Sequence, residues 1–309
     1  FTSVSLAGQS GATVIDAAQT PDSPFEPTPL RNAVLALVVG LLIGLAAAFL
    51  IDYLDSSVRD ENELSKATRL PVLAVIPKLA GWKPKDTHVV TRENPTSPPA
   101  EAYRGLRTAL QFLRIDRPLD IVQLTSPKPA DGKSTTSANL AVACAKAGQR
   151  VLLVDADLRR PRLQHFFGLG NDLGFTSVLL GTPLEQAIQK VDGEPNLSVM
   201  TSGPIPPDPS ELLAGQRARD LLQALKQHFD LVIIDSPPVL AVADPLILSG
   251  SADGVILVTS ANKTARQEAT AAAEQLAQVS APVLGALLNA FDAKRAGSYE
   301  YRYAYGTYT

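Results

Sequence analysis

From Asp120 onward, short runs that are apolar at nearly every position alternate with stretches patterned for helices. The runs fall near 121–126, 151–155, 197–201, 231–235, 253–259 and 283–288; helical stretches fall near 134–147, 184–190, 210–228, 239–249 and 263–279. Strands apolar at successive positions suit a sheet covered on both faces. Regular βα alternation implies right-handed crossovers, hence a parallel sheet flanked by helices. Upstream, 101–113 is helical by pattern, with Leu106, Leu110 and Leu113 on one face. Residues 70–77 read as one further strand, 52–69 as a charged helix and 78–99, rich in proline and polar residues, as a linker. No internal repeat is present. Earlier still, 33–51 is a run of 19 residues without a charge. At about 1.5 Å per residue it would span about 28 Å, close to a bilayer's hydrocarbon core. Gly40 and Gly44, costly in a soluble helix, are tolerated in a membrane one. Arg31 alone precedes the run, whereas Arg59, Lys66 and Arg69 follow it, which places the C-terminal side in the cytoplasm.

The chemistry gathers where three of the apolar runs end. The first breaks into Ser126-Pro-Lys-Pro-Ala130-Asp131-Gly132-Lys133-Ser134-Thr135 and then opens a helix. Strand, Gly-Lys-Ser loop and helix make a P-loop, in which backbone N–H groups receive phosphate, Lys133 reaches the β/γ oxygens and Ser134 faces Mg²⁺. The match is imperfect, since Pro127 stands where the first glycine of the motif belongs. The second run ends in Asp155-Ala-Asp157 and the fourth in Asp235. Ligands of parallel sheets bind beyond the carboxyl ends of the strands, where these three carboxylates would converge. Asp155 and Asp157, at i and i+2, can face one metal or one nucleophile. A helix N-cap would account for one such aspartate, but poorly for three beside a Gly-Lys-Ser loop.

These residues carry a resemblance. Ser126-x-x-Pro129-x-x-Gly132-Lys133-Ser134-Thr135, the run Asp155-Ala-Asp157-Leu-Arg-Arg-Pro161 and Ile-Ile-Asp235-Ser-Pro-Pro resemble the Walker A, A′ and B motifs of bacterial tyrosine kinases. These are the polysaccharide co-polymerase kinases of capsule and exopolysaccharide export, within the MinD/ParA-like P-loop superfamily. Glu101-x-x-Arg104-x-x-Arg107 and a tyrosine-rich tail extend the likeness, which covers the chain from about residue 20 onward. It implies a P-loop NTPase-type parallel sheet with helices on both faces, preceded by one transmembrane helix. Residues 1–30 would end an extracytoplasmic chain-length-regulator domain, 31–52 cross the membrane and 53–99 form a juxtamembrane segment and linker. The kinase domain would occupy 100–298 and the tail 299–309.

The resemblance also implies roles. ATP and Mg²⁺ are the expected cofactors, with Ser126, Ala130, Asp131, Gly132, Lys133, Ser134 and Thr135 around the nucleotide and Asn289 at its adenine. Ser134, Asp155, Asp157 and Asp235 are metal candidates. Lys133, Asp155 and Asp157 are the catalytic set, with base and metal ligand unassigned between the aspartates. Glu101, Arg104 and Arg107 would close a homo-oligomeric ring; by pattern alone they are a solvated helix face. Tyr299, Tyr301, Tyr303, Tyr305 and Tyr308 would accept phosphate in trans, though a tyrosine run of period two also fits an edge strand. Further partners would be the membrane, the polysaccharide polymerisation and export machinery, and a tyrosine phosphatase. Two departures stand out: Ala130-Asp131 replaces the family's usual Gly-Glu, and Lys128 sits where MinD and ParA relatives keep a lysine that reaches across a dimer. If position 130 needs a positive φ, alanine strains the loop. A MinD/ParA-like ATPase switch, or a chain-length regulator without phosphotransfer, are the competing readings.

Composition narrows the rest. The 309 residues carry a formal net charge of −3, which gives no electrostatic case for nucleic acid. The single cysteine, Cys144, has no partner for an internal disulfide and fits a reducing compartment. His165 and His228 lack companions at metal-ligand spacing. The chain opens on Phe1, which reads as a fragment or a processed product.

Overall fold

The computed structural model describes residues 27–78 and 87–292. The chain divides into two compact units, residues 1–55 and 56–309. In the first, one helix runs over Pro29–Leu54. Its span Pro29–Leu50, with mean hydropathy 2.8 and no buried share, is long and apolar enough to cross a membrane. The tyrosines at 299–308 lie outside the described residues, as does most of 1–30.

The second unit is built on one eight-stranded sheet. Its strands are β1 (Val72–Pro77), β2 (Ile121–Thr125), β3 (Val151–Asp155), β4 (Gln189–Val191), β5 (Glu194–Met200), β6 (Leu231–Asp235), β7 (Gly254–Ser260) and β8 (Val283–Phe291). They lie in the order β1-β8-β7-β2-β6-β3-β5-β4. Every pairing is parallel except that of β4 with β5, which is antiparallel.

β2, β3 and β6 are buried at every position. Successive side chains point to opposite faces. Val122, Leu124, Val151, Leu153 and Ile233 therefore join one core with the helices Pro98–Asp116 and Lys133–Ala145. Ile121, Leu152, Val154, Val232 and Ile234 join another with the helices Pro209–Ala214 and Gln216–Leu225. Covering both faces is what the uninterrupted apolar runs required.

Several expectations are corrected. Residues 52–69 do not form one helix: the first helix ends at Leu54 and a separate one covers Glu61–Thr68, capped by Asp60, whose carboxylate accepts the Glu63 N–H at 2.8 Å. Ser57, just before it, makes an antiparallel bridge to Ala265. The segment 78–99 is more than a linker, because Val89, Val90 and Thr91 are buried and Thr91 N–H donates to Asn139 Oδ1 at 3.0 Å. Together with β1, these contacts draw the stretch from Ser56 into the unit that holds the sheet. The helical stretch 210–228 is two helices, broken at Gly215, whose ψ of 153° is extended. Helix is confined to Leu184–Ala187 in 184–190, where Gln189 already begins β4. In 239–249 it is confined to Asp244–Ser249.

Candidate functional site: a phosphate loop facing three carboxylates

β2, β6 and β3 are neighbours in the sheet, so the loops leaving their carboxyl ends share one cleft of about 450 Å³. Gly132, the residue before the helix Lys133–Ala145, has φ +96°, and a Cβ there would stand 1.8 Å from Asn289 Nδ2. Glycine is thus required twice, by conformation and by space. Ser126 Oγ donates to Lys128 O at 2.8 Å, and Asp131 Oδ2 accepts the Lys128 N–H at 3.0 Å, so the loop braces itself. Ala130, with φ +64°, does occupy the left-handed region, and the anticipated strain is present.

Lys133 is buried and bends back onto the strand ends. Its Nζ lies 2.8 Å from Asp157 Oδ2, 3.7 Å from Asp235 Oδ2 and 3.3 Å from Ser134 Oγ. Burial opposes its charge, but the carboxylates of Asp235 and Asp157 outweigh burial and raise its pKa above the ordinary lysine value. Asp235 also accepts from Ser137 Oγ at 3.1 Å through Oδ1, while Oδ2, although buried, has no hydrogen bond. Burial pushes the Asp235 pKa up, against the pull of Lys133.

The two aspartates of the β3 end have different surroundings. Asp155, fully buried, accepts backbone N–H groups from Asp157 at 3.2 Å, Arg162 at 3.0 Å and Leu163 at 2.9 Å, which pin the following loop. Burial and the facing charge of Asp235 nevertheless raise its pKa to about 7. Asp157 lines the cleft, holding Lys133 through Oδ2 and the Arg160 N–H, at 3.0 Å, through Oδ1.

Other expected residues are placed as follows. Ser134 and Thr135 open the helix at the cleft. The buried Asp131 carboxylate turns into the loop, toward Lys128 N–H and Lys263, which leaves only its backbone for a phosphate. Asn289 also borders a small hollow beside Thr135, but its amide is engaged: Nδ2 donates to Asp131 O at 3.1 Å and Oδ1 accepts the Ala290 N–H at 2.9 Å. Lys128 pairs with Glu268 of its own chain at 2.8 Å. Glu101 pairs with Arg104, which also donates to Pro95 O at 2.7 Å. Arg107 turns inward and donates to Ala143 O at 3.3 Å on the helix Lys133–Ala145.

Sequence reasoning missed some contacts here. Arg159 grips buried Asp244 with two nitrogens, at 2.8 and 3.1 Å, and reaches Ser210 Oγ at 3.0 Å. Against the upward push of burial, these bonds hold the Asp244 pKa low. Arg159 thus fixes the loop after Asp157 and does not wait for a ligand. Partners 85 residues apart leave no local signal.

Magnesium held with a nucleotide takes most of its oxygens from phosphate and water, needing one or two carboxylates from the protein. Ser134, Asp157 and the unbonded Asp235 Oδ2 fit that requirement. Among the described residues no self-contained cluster of His, Cys, Asp or Glu would hold an ion without such help. One lysine against three buried carboxylates could not neutralise incoming phosphates as well, so a cation fits the charge balance.

Residues 120–283 match the AAA domain family. The tyrosine-protein kinase YwqD of Bacillus subtilis is 45% identical over 221 residues, covering 71% of this chain and 92% of its own length. The putative tyrosine-protein kinase EpsB of Ralstonia solanacearum is 36% identical over 304 residues, which cover 95% of this chain but 40% of EpsB. The solved structure of the kinase domain of Escherichia coli tyrosine kinase ETK superposes with a TM-score of 0.70 at 33% identity, over 76% of this chain and 96% of that domain.

Proposed function

Because the chain belongs to the bacterial tyrosine-protein kinases, we propose that it transfers the γ-phosphoryl group of ATP to tyrosines of its own tail, in trans. The observation that carries the reading is Lys133, buried at a helix N-terminus between Asp157 and Asp235. Without ligand, the ammonium holds the place that phosphates would claim. When β/γ oxygens draw Lys133 away, Asp157 loses its cation and its Oδ2 is left free at the cleft, with Oδ1 still on the Arg160 N–H. It then accepts the phenolic proton of tyrosine, whose unperturbed pKa near 10 demands a base at neutral pH. The phenolic oxygen forms the new bond to phosphorus, the bond to the β–γ bridging oxygen breaks, and ADP leaves. Asp155, occupied with backbone N–H groups, shapes the loop that presents Asp157. Bound Mg²⁺, held by Ser134 and Asp235, would neutralise charge on the transferring group.

Residues 31–52 anchor the chain in the bacterial inner membrane, with the sheet on the cytoplasmic side; residues 1–30 end an extracytoplasmic chain-length-regulator domain. Glu101 and Arg104 face a second copy in a ring. Asn289 serves the adenine end by holding Asp131, and its second N–H and second oxygen lone pair remain for the base. Cycles of tail phosphorylation, reversed by a tyrosine phosphatase, regulate capsule or exopolysaccharide polymerisation and export. The test is anti-phosphotyrosine blotting after incubation with ATP and Mg²⁺. Wild type gains signal and Lys133→Met does not, at equal expression and with both chains folded at the assay temperature; equal signal from both would remove this loop from the reaction.

A further inference from the structure

An alanine in the left-handed region crowds its own Cβ against the following carbonyl, so Ala130 needs an external hold. Lys263 supplies one from the turn between β7 and the helix Arg266–Gln278. Its Nζ donates to Ala130 O and, at 3.4 Å, to Pro129 O. The same ammonium stands 3.7 Å from Asp131 Oδ1, a buried oxygen with no hydrogen bond. Lys263 thus offsets a negative charge next to the site where phosphates, also negative, would arrive. Glu268, on the helix that follows, holds Lys128 at 2.8 Å, so both sides of the arch Lys128–Asp131 are tied to one structural element.

That element is itself pinned by the stretch that follows the membrane-length helix in sequence. Asn262 N–H donates to Val58 O, Val58 N–H to Thr264 O and Arg266 N–H to Ser56 O, each at 2.8 Å. Arg266 also pairs with Glu63 at 3.3 Å. Residues 56–58 therefore fix the turn from one side, and Lys263 carries its position to the loop on the other.

We propose that Lys263 is a positioning residue of the phosphate loop: supported by residues 56–58, it holds Ala130 in its left-handed conformation and screens Asp131, so the loop meets nucleotide already shaped. The inference rests on the reading of this loop as a nucleotide site. The Lys263 side chain is 44% exposed, so it adds little to fold stability and its removal should register in nucleotide affinity.

The test uses the full chain in detergent, a fluorescent ATP analogue, steady-state kinetics and thermal melting. Lys263→Met should weaken ATP binding about tenfold, the scale of one charge-assisted hydrogen bond. The KM for ATP should rise while kcat at saturation stays within about twofold, and the ligand-free Tm should move by less than about 2 °C. Lys263→Arg should recover most of the affinity. In an Ala130→Gly background, where the left-handed conformation costs no steric clash, the Lys263→Met penalty should shrink to about threefold. Wild-type affinity in Lys263→Met, or the same penalty in both backgrounds, would overturn the proposal. Failure of the wild-type chain to bind ATP would instead overturn the nucleotide reading, and this inference with it.

Discussion

Asp155 and Asp157 sit two residues apart and have identical side chains, yet their surroundings differ. Asp157 Oδ2 is held by one cation that a nucleotide would remove, with Oδ1 on the Arg160 N–H, whereas Asp155 is held by backbone groups alone. Asp157→Asn should slow phosphotransfer about 10²–10⁴-fold, the range for losing a positioned base, with the fold intact. Single-turnover kinetics measure this, and an undiminished rate would remove Asp157 from proton transfer. Asp155 governs a different observable. Its pKa of about 7 in the folded chain exceeds the ordinary carboxylate value, so the folded state binds the proton more tightly than the unfolded state does. The resulting stability is fully present below about pH 4 and is lost as pH rises through about 7. The ligand-free protein in chelator should therefore melt lower at pH 8 than at pH 5, and Asp155→Asn should flatten much of that slope. At position 130, glycine removes the crowding an alanine suffers at φ +64°, so Ala130→Gly should stabilise the chain by about 1 kcal/mol in denaturant titration.

The elements that build the site were the most legible in the sequence. β2, β3 and β6 are apolar throughout because helices cover both faces, and the aspartates at the ends of β3 and β6 mark where burial gives way to chemistry. Less legible were features decided by contacts far along the chain. The register that sets Asp155 opposite Asp235 is one example, and the Lys263 grip on a loop 133 residues away is another. The break at Gly215 and the short strand β4 were hidden by sequence that patterns as continuous helix. On the helix Pro98–Asp116, even spacing made Glu101, Arg104 and Arg107 one surface, but Arg107 is drawn inward by a carbonyl that the sequence does not place. The proposed ring contact of Glu101, Arg104 and Arg107 therefore rests most directly on Glu101 and Arg104. Replacing both with alanine should shift the oligomer toward monomer in sedimentation with little change in stability, since an exposed pair contributes about 0–1 kcal/mol. An unchanged mass distribution would return that face to solvent.

At the scale of the whole molecule, the chain joins a helix of membrane length, a nucleotide-type sheet and a tail with five tyrosines in its last eleven residues. Each phosphate adds about −1.5 to −2 charges, so a fully modified tail gains about −8 to −10. Tails gathered around the proposed ring would then repel one another, so phosphorylation would act as a switch between assembled and separated subunits. The most direct test of the account mixes a Lys133→Met chain that keeps its tail with an active chain ending at Ser298, in ATP and Mg²⁺. The measurement is mass-spectrometric phosphate mapping of the inactive chain. The account predicts phosphate on Tyr299, Tyr301, Tyr303, Tyr305 or Tyr308 in the mixture and none when the Lys133→Met chain is incubated alone. An unlabelled tail in the mixture, or equal labelling without the active partner, would contradict it.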